Sequence, residues 1–139
     1  MKTSEFFKQK TVLSLEVFPP KRTAPVDTVY KTLDGLKGIT PDFISVTYGA
    51  GGIGNSRATL EIASSIKHRY GIESVAHMPC LHLTKEDAAE ILLQLKAHQI
   101  ENILALRGDR IPDMEPAGGF KYAADLVAFI RDHGDFNII

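Results

Sequence analysis

Short runs of β-branched and aliphatic residues alternate with longer stretches of helical periodicity along the whole chain, and turn residues mark each change. The predicted strands are residues 11–18, 42–48, 73–77, 102–106 and 136–139. Their centres recur about every 30 residues, which is the length of one βαβ unit. Because strands joined by helical crossovers run parallel, the sequence predicts an α/β protein.

The segments between these strands have the periodicity and the end signals of helices. The predicted helices are residues 25–37, residues 56–70, a helix that begins after Thr84, and about residues 122–133. Gly38 and Gly134 are the predicted C-terminal caps of the first and last of them. Thr84 and Asp87 have the spacing of a capping box, with Asp in place of the usual Glu.

Side-chain parity in the first two strands bears on the architecture. In the first, Glu16 points away from Leu15 and Val17; in the second, Ser45 and Thr47 lie opposite the aliphatic positions. An open sheet that is buried on both faces has nearly continuous apolar runs, whereas a barrel can turn polar strand ends toward its mouth. The alternation favours a (β/α)8 barrel over an open doubly wound sheet.

The length of the chain is short for that fold. A complete barrel has about 250 residues, and this chain of 139 residues reaches only its fifth strand. We therefore interpret residues 1–139 as the incomplete N-terminal part of a single barrel domain, with about four βα units and a fifth strand. The apolar strand at the end of the sequence indicates truncation.

Charge and composition narrow the class of partner. Lys and Arg number 16 against 17 Asp and Glu, so the net charge is −1. This balance argues against nucleic acid or a membrane surface as partner and favours small metabolites. The single cysteine, Cys80, cannot form an internal disulfide, and the first ten residues lack an apolar leader sequence. These features predict a cytoplasmic protein.

A glycine-rich segment, residues 49–54, fits the pattern G-x-G-x-x-G between a strand and a helix. A dinucleotide-binding fold would also need an acidic residue at the end of the next strand, where this chain has His77-Met78-Pro79. Three interpretations stay open: a small dinucleotide-binding module, a flexible βα loop, or a loop whose backbone approaches a ligand at a barrel mouth.

Glu16 is a carboxylic acid inside a predicted strand, just before Pro19 and Pro20. A glutamate buried without a partner has a raised pKa, which suits a general acid near neutral pH. The alternative is an outward-facing or ion-paired structural residue. Arg107 and Asp109 directly follow the fourth strand, where barrel enzymes place their chemistry, although a surface ion pair is the alternative for them.

His77, Cys80 and His82 are potential metal ligands, but their spacing is short and Pro79 makes it irregular. We do not predict a metal site. A free cysteine is most often a small buried apolar residue, which is our interpretation of Cys80.

Four motifs, taken in order, resemble the strand-end motifs of the methylenetetrahydrofolate reductases. They are Ser14-Leu-Glu16-Val-Phe-Pro-Pro20, Val46-Thr47-Tyr48-Gly49-Ala50-Gly51, His77-x-x-Cys80 and Leu106-Arg107-Gly108-Asp109. The resemblance runs from about residue 4 to the last residue and implies a (β/α)8 barrel that binds FAD. It implies hydride transfer from NADH or NADPH through FAD to 5,10-methylenetetrahydrofolate, giving 5-methyltetrahydrofolate for methionine synthesis.

The resemblance also implies roles for individual residues. Glu16 matches the general acid, Thr47 matches the residue beside the nicotinamide, and Asp109 would contact both flavin and pterin. The positions that match FAD-lining residues are Tyr48, Ala50, His77, Arg107, Gly108, Asp109, Tyr122 and Ala123. The implied partner is the folate substrate, and the complete protein would be a homo-oligomer.

The chain departs from the family pattern in two ways. His77-Met78-Pro79-Cys80 replaces the common His-Leu-Thr-Cys, and the residues that complete the FAD cleft beyond the fifth strand are absent. We therefore expect the 139 residues alone to bind FAD weakly, to lack reductase activity, and to aggregate or self-associate through residues 136–139. A catalytically silent fragment is a third interpretation of the chain.

Overall fold

The computed structural model describes residues 1–20, 26–36, 38–48 and 56–139, with the backbone only at Ser56. The elements in chain order are a 3₁₀ helix Thr3–Lys8, β1 Ser14–Val17, α1 Asp27–Asp34, β2 Phe43–Val46, α2 Ser56–His68, β3 Glu73–Pro79, α3 Lys85–Ala97, β4 Asn102–Leu106, α4 Ala123–His133 and β5 Asn137–Ile138. The α/β class predicted from the sequence is confirmed.

The five strands form one parallel sheet in the order β1-β2-β3-β4-β5. A doubly wound sheet reverses its strand order at a switch point, whereas a barrel adds each strand beside the previous one. The sequential order is that of a partial (β/α)8 barrel, as side-chain parity predicted.

The two faces of the sheet differ in composition. Aliphatic residues of the strands pack against α2, α3 and α4, and this core contains Ile44, Val46, Ala76, Met78, Ile103, Ile62, Ile66, Ala88, Leu92, Leu126 and Ile130. The opposite face, which we call the site face, carries Glu16, Ser45, Thr47, His77 and Leu104. The helices therefore cover one face and leave the site face for a ligand.

A network of polar side chains, which we call the floor network, lies at the N-terminal ends of the central strands. Its members are Thr3, Lys67, Glu73, Asn102 and Asn137. The fully buried Asn102 accepts hydrogen bonds from the Thr3 N–H at 2.8 Å and from Asn137 Nδ2 at 3.1 Å. Its own amide donates toward Glu73 Oε1 and the Ser74 carbonyl, and Lys67 pairs with Glu73 at 2.9 Å. These bonds hold the N-terminal segment beneath β3 and β4.

The first helix ends earlier than the sequence predicted. The N–H of Gly35 donates to the carbonyls of Lys31 and Thr32, which closes α1 at Asp34. Gly38, the predicted cap, instead has a positive φ of 88° in the turn before β2, so that prediction is wrong. The 3₁₀ helix Thr3–Lys8 is an element that the sequence analysis did not predict.

The predicted start of α3 and the predicted end of α4 are confirmed, whereas α2 ends at His68 and not at residue 70. Thr84 and Asp87 form the capping box of α3, with Asp87 N–H donating to Thr84 Oγ1 at 3.0 Å and Thr84 N–H donating to Asp87 Oδ2 at 3.1 Å. Helix α4 stops at His133, and Gly134 caps it. Among the described residues, no helix has both the length and the apolar character needed to cross a bilayer.

Candidate active site

The carboxyl ends of the parallel strands bring most of the predicted site residues to one edge of the sheet. Glu16 lies in β1, Thr47 directly follows β2, His77 lies in β3, and Arg107 directly follows β4. Barrel enzymes build their active sites at this edge because the βα loops converge there. The edge is therefore the candidate active site.

Glu16 occupies the site face with two polar neighbours. Its Oε2 accepts a hydrogen bond from Ser45 Oγ at 3.2 Å and lies 3.3 Å from His77 Nε2. The side chain is 45% exposed, so the expectation of a buried carboxyl group is wrong. The physical reason is that β1 is an edge strand of the described sheet and the helices pack on its other face.

His77 is much more buried than Glu16. Its exposed fraction is 8%, and its Nε2 has no hydrogen bond because the contact with Glu16 is poorly aligned. Burial lowers the pKa of His77 below its ordinary value of 6.5, while the Glu16 charge acts in the opposite direction. The imidazole is therefore neutral at pH 7, and one of its nitrogens is free of a proton.

Thr47 and Tyr48 leave β2 toward opposite faces of the sheet. Thr47 Oγ1 is buried without a hydrogen-bond partner in the described part of the chain, while the Thr47 carbonyl accepts from Thr59 Oγ1 at 2.9 Å. The Tyr48 side chain is buried and lines a small cavity with Thr59 and Ile91 of the covering helices. A ligand on the site face would meet the backbone of Tyr48 rather than its ring.

The segment after β4 has a constrained backbone. Gly108 has a φ of 82°, and a Cβ atom there would lie 3.0 Å from Pro79 Cβ. Arg107 is exposed, and its Nε donates to the Gly108 carbonyl at 3.2 Å. A residue other than glycine would be strained at position 108 and would crowd β3.

Hydrogen bonds continue the pairing of β3 and β4 beyond the strands. The N–H groups of Cys80 and Leu81 donate to the carbonyls of Leu106 and Arg107 at 3.0 and 2.8 Å. His82 Nε2 then lies 3.2 Å from the Asp109 carbonyl oxygen. From the sequence, His82 is only a potential metal ligand. Its contact with Asp109, which fixes the backbone of the Arg107–Asp109 segment, was not predicted.

Cys80 is fully buried in the core, so its predicted apolar role is confirmed. Its Sγ donates to the Tyr122 carbonyl at 3.6 Å, and burial raises the pKa of the thiol. The contact ties β3 to the start of α4, where Tyr122 is 55% exposed and Ala123 begins the helix. In the described ranges, no three His, Cys, Asp or Glu side chains are grouped closely enough to hold a metal ion.

The glycine-rich segment 49–54, and with it the predicted cofactor-binding residue Ala50, lies outside the described residues. Of the other predicted residues, Glu16 and His77 are brought into contact, and Arg107, Gly108 and Asp109 form one segment beside them. Ser45 is a site residue that the sequence analysis did not select. Its position directly opposite Glu16 in the β1–β2 register is the signal that could have identified it.

The chain matches known proteins over nearly its whole length. The family model described as methylenetetrahydrofolate reductase matches residues 2–139. A 5,10-methylenetetrahydrofolate reductase of Pectobacterium carotovorum is 38% identical over 129 residues, and one of Escherichia coli is 35% identical over 128 residues. Methylenetetrahydrofolate reductase (NADH) 1 of Arabidopsis thaliana is 36% identical over 132 residues.

Each of these matches covers 91% of this chain but a much smaller share of the relative. The share is 41% and 42% for the two bacterial proteins and 22% for the plant protein. The chain thus spans less than half the length of the curated relatives that it matches.

Proposed function

Because the chain belongs to the methylenetetrahydrofolate reductase family, we propose that it forms the N-terminal part of a flavin-dependent reductase barrel. In this proposal, the complete protein would reduce 5,10-methylenetetrahydrofolate to 5-methyltetrahydrofolate for methionine synthesis, with NADH or NADPH as the hydride source and FAD as the cofactor that these residues would hold. The observation that carries the proposal is the contact of Glu16 with His77 on the site face, beside the Arg107–Asp109 segment.

The polar groups of the described site fit a flavin. Thr47 Oγ1 is buried without a hydrogen bond in the described part of the chain, and a ligand with polar ring edges would satisfy it. Gly108 removes the side chain that would otherwise stand between backbone and ligand. When bound, FAD supplies the hydride-transfer chemistry.

Several residues would hold this cofactor. The exposed guanidinium of Arg107 is suited to a phosphate or a flavin oxygen, because its fork of N–H donors matches such acceptors. Tyr48 would contribute its backbone, and Tyr122 and Ala123 would lie at the rim where α4 begins. Ala50 remains part of the proposed cofactor site by its family match alone.

Glu16 is the proposed proton donor. The five-membered ring of the folate opens when a C–N bond breaks, and its electron pair on the departing nitrogen takes the proton from Glu16. An iminium cation remains and is ready to accept hydride. The 45% exposure of Glu16 on the site face gives substrate access to its carboxyl group, and protonation by a positioned acid contributes about 10²–10⁴ in rate.

Asp109 and Thr47 have the two remaining proposed roles. The negative charge of Asp109 would stabilise the cationic iminium of the folate. Thr47 would lie beside the nicotinamide. The name of the Arabidopsis relative includes NADH, which supports a nicotinamide co-substrate without deciding between NADH and NADPH. Cytoplasmic location and assembly into a homo-oligomer stay predictions.

A dinucleotide-binding module and a catalytically silent fragment are the two alternatives to the proposed reductase. A dinucleotide-binding module would place its ligand at a switch point of the strand order, and the sequential order β1 to β5 has none in the described sheet. The described site is also compatible with a catalytically silent fragment. The activity test below distinguishes this alternative from a reductase.

The proposal is tested with a protein of the relatives' full length that carries residues 1–139. It should be yellow, retain FAD through gel filtration and oxidise NADH or NADPH when a folate acceptor is present. Arg107→Ala should weaken FAD binding at least about 10-fold, because hydrogen bonds to charged groups contribute about 1.5–3 kcal/mol.

Arg110→Ala is the matched control, since Arg110 is also exposed three residues further along the same loop. It should leave FAD affinity unchanged. A colourless protein without reductase activity would contradict the proposed function and favour the silent fragment.

A further inference from the structure

The two carboxyl oxygens of Glu16 have different surroundings. Oε2 accepts from Ser45 Oγ at 3.2 Å and lies 3.3 Å from His77 Nε2. Oε1 makes no hydrogen bond to any residue in the described ranges. Both neighbours therefore act on the same oxygen and leave the other available.

This asymmetry determines which oxygen can carry a proton. A protonated carboxyl group has one hydroxyl oxygen, which donates, and one carbonyl oxygen, which accepts. If Ser45 and His77 both donate to Oε2, then Oε2 is the carbonyl oxygen and the proton lies on Oε1. The contact with His77 is long and poorly aligned without a ligand, and such hydrogen bonds often tighten when substrate binds.

We propose that His77 is a positioning residue for Glu16: with its proton on Nε2, it acts together with the Ser45 hydroxyl to hold Oε2 as an acceptor, so that Oε1 carries the proton transferred to substrate. The catalytic meaning of this arrangement rests on the proposed function, but the arrangement itself does not. After transfer to the departing nitrogen, the carboxylate charge would be stabilised by the same two donors.

The charged groups around His77 make Glu16 its relevant partner. On the site face, β2 carries Ser45 and Thr47 and β4 carries leucines, so neither strand contributes a charge there. Glu73 lies at the far end of β3, paired with Lys67 in the floor network. The Arg107 and Asp109 side chains follow β4 and are exposed. Among the described residues, Glu16 is the charged group that acts on the His77 ring, and it favours the protonated imidazole.

The decisive measurement is the tautomer of His77, read from its ¹⁵N ring shifts at neutral pH in a protein of the relatives' full length that carries residues 1–139 and has no FAD or folate bound. We expect a single form with the proton on Nε2. A proton on Nδ1, or a mixture like that of a free imidazole, would overturn the proposal because Nε2 could then not act as a fixed donor. This measurement needs no substitution, so it does not depend on a variant that folds.

A second measurement tests the coupling between the two side chains. In Glu16→Gln, the His77 titration should move to lower pH, because the carboxylate that favours the imidazolium is gone. Glu61→Gln is the matched control, since Glu61 lies exposed on α2, and it should leave the His77 titration in place. An unchanged His77 titration in Glu16→Gln would overturn the proposal.

Neither measurement uses FAD or folate, so this inference and the proposed function can fail separately. If the tautomer is as expected but the protein never binds FAD, the proposed Glu16 geometry is supported and the proposed reductase function is contradicted. An active reductase whose His77 carries its proton on Nδ1 would reject the positioning role alone.

Discussion

Buried polar groups have hydrogen-bond partners at one end of the sheet and lack them at the other. In the floor network, the fully buried Asn102 has hydrogen-bond partners on Thr3, Glu73 and Asn137. At the strand carboxyl ends, Thr47 Oγ1 and His77 Nε2 are buried without one in the described part of the molecule. Ser74 Oγ is also buried without a partner, but it lies on the helix-covered face.

This difference is what a barrel enzyme requires. An unsatisfied buried polar group costs about 1–3 kcal/mol, so a chain retains one where a ligand satisfies it or where the chemistry needs it. The satisfied end holds the strands in register, and the unsatisfied end is available to a ligand. Substitutions at the two ends should therefore have separable effects on stability and on activity.

The largest expected effect is at the ligand end. In a protein of the relatives' full length, Glu16→Gln should reduce folate reduction by about 10²–10⁴, because it removes the proton but keeps the shape of the side chain. Flavin reduction by the nicotinamide cofactor should be largely intact. Stopped-flow measurement of the two half-reactions separates them, and an equal loss in both would exclude Glu16 as proton donor.

The floor network gives the second prediction. Asn102→Ala should lower the free energy of unfolding by about 3 kcal/mol, because it leaves several buried groups unsatisfied at about 1–3 kcal/mol each. Urea unfolding followed by circular dichroism measures this change in a protein of the relatives' full length that carries residues 1–139. Glu16→Gln is the control at the strand carboxyl ends. It should change the free energy of unfolding by less than about 0.5 kcal/mol, as surface substitutions usually do. Similar losses in both variants would contradict the division between the two ends.

A smaller effect is expected at Asp109. Asp109→Asn should raise the midpoint potential of bound flavin, because the reduced form carries more negative charge and loses a repulsive neighbour. A charge interaction of about 1 kcal/mol corresponds to roughly 20 mV for a two-electron couple. Spectroelectrochemical titration of the holoenzyme measures the potential. No change would show that the Asp109 carboxylate does not act on the flavin ring.

The smallest effect concerns stability against pH. Burial lowers the folded-state pKa of His77 below the 6.5 of the unfolded chain, so the unfolded state binds the proton first as pH falls. His77 therefore contributes stability above about pH 6.5 that is lost below it, with a slope of at most about 1.4 kcal/mol per pH unit.

His77→Gln has no titrating ring and should show a weaker loss of stability between about pH 7.5 and about pH 5.5 than the parent chain. Urea unfolding at the two values measures this difference. A loss of the same size in both proteins would place the pH dependence on other groups.

Local patterns predicted the five strands, the four α-helices and the face of the sheet on which Glu16 lies. Strand alternation predicted that Glu16, Ser45 and Thr47 share one face, and the structure has that arrangement. The capping box of Thr84 and Asp87 was equally readable, since both partners lie within one helical turn. Features that depend on residues close together in the sequence could be predicted in this way.

Other features depend on residues far apart in the chain and were not predictable. The exposure of Glu16 depends on which face of the sheet the helices cover. The alternation of side chains along a strand does not predict that face. In the sequence Asn102 has no feature that distinguishes it from other strand residues, yet in the structure its side chain accepts a hydrogen bond from the Thr3 N–H. The early end of α1 at Gly35 reflects a choice between two nearby glycines that periodicity did not resolve.

The hydrogen bond from the Thr3 N–H to Asn102 joins residues 99 positions apart, which sets an order of events during synthesis. At about 5–20 residues per second, a ribosome needs roughly 5–20 s to deliver Asn102 after Thr3 has been made. Throughout that interval the Thr3 N–H lacks the side chain that accepts its hydrogen bond in the folded protein. The N-terminal segment therefore reaches its final place only after β4 has been made, although α2 and β3 are already available to the first two strands.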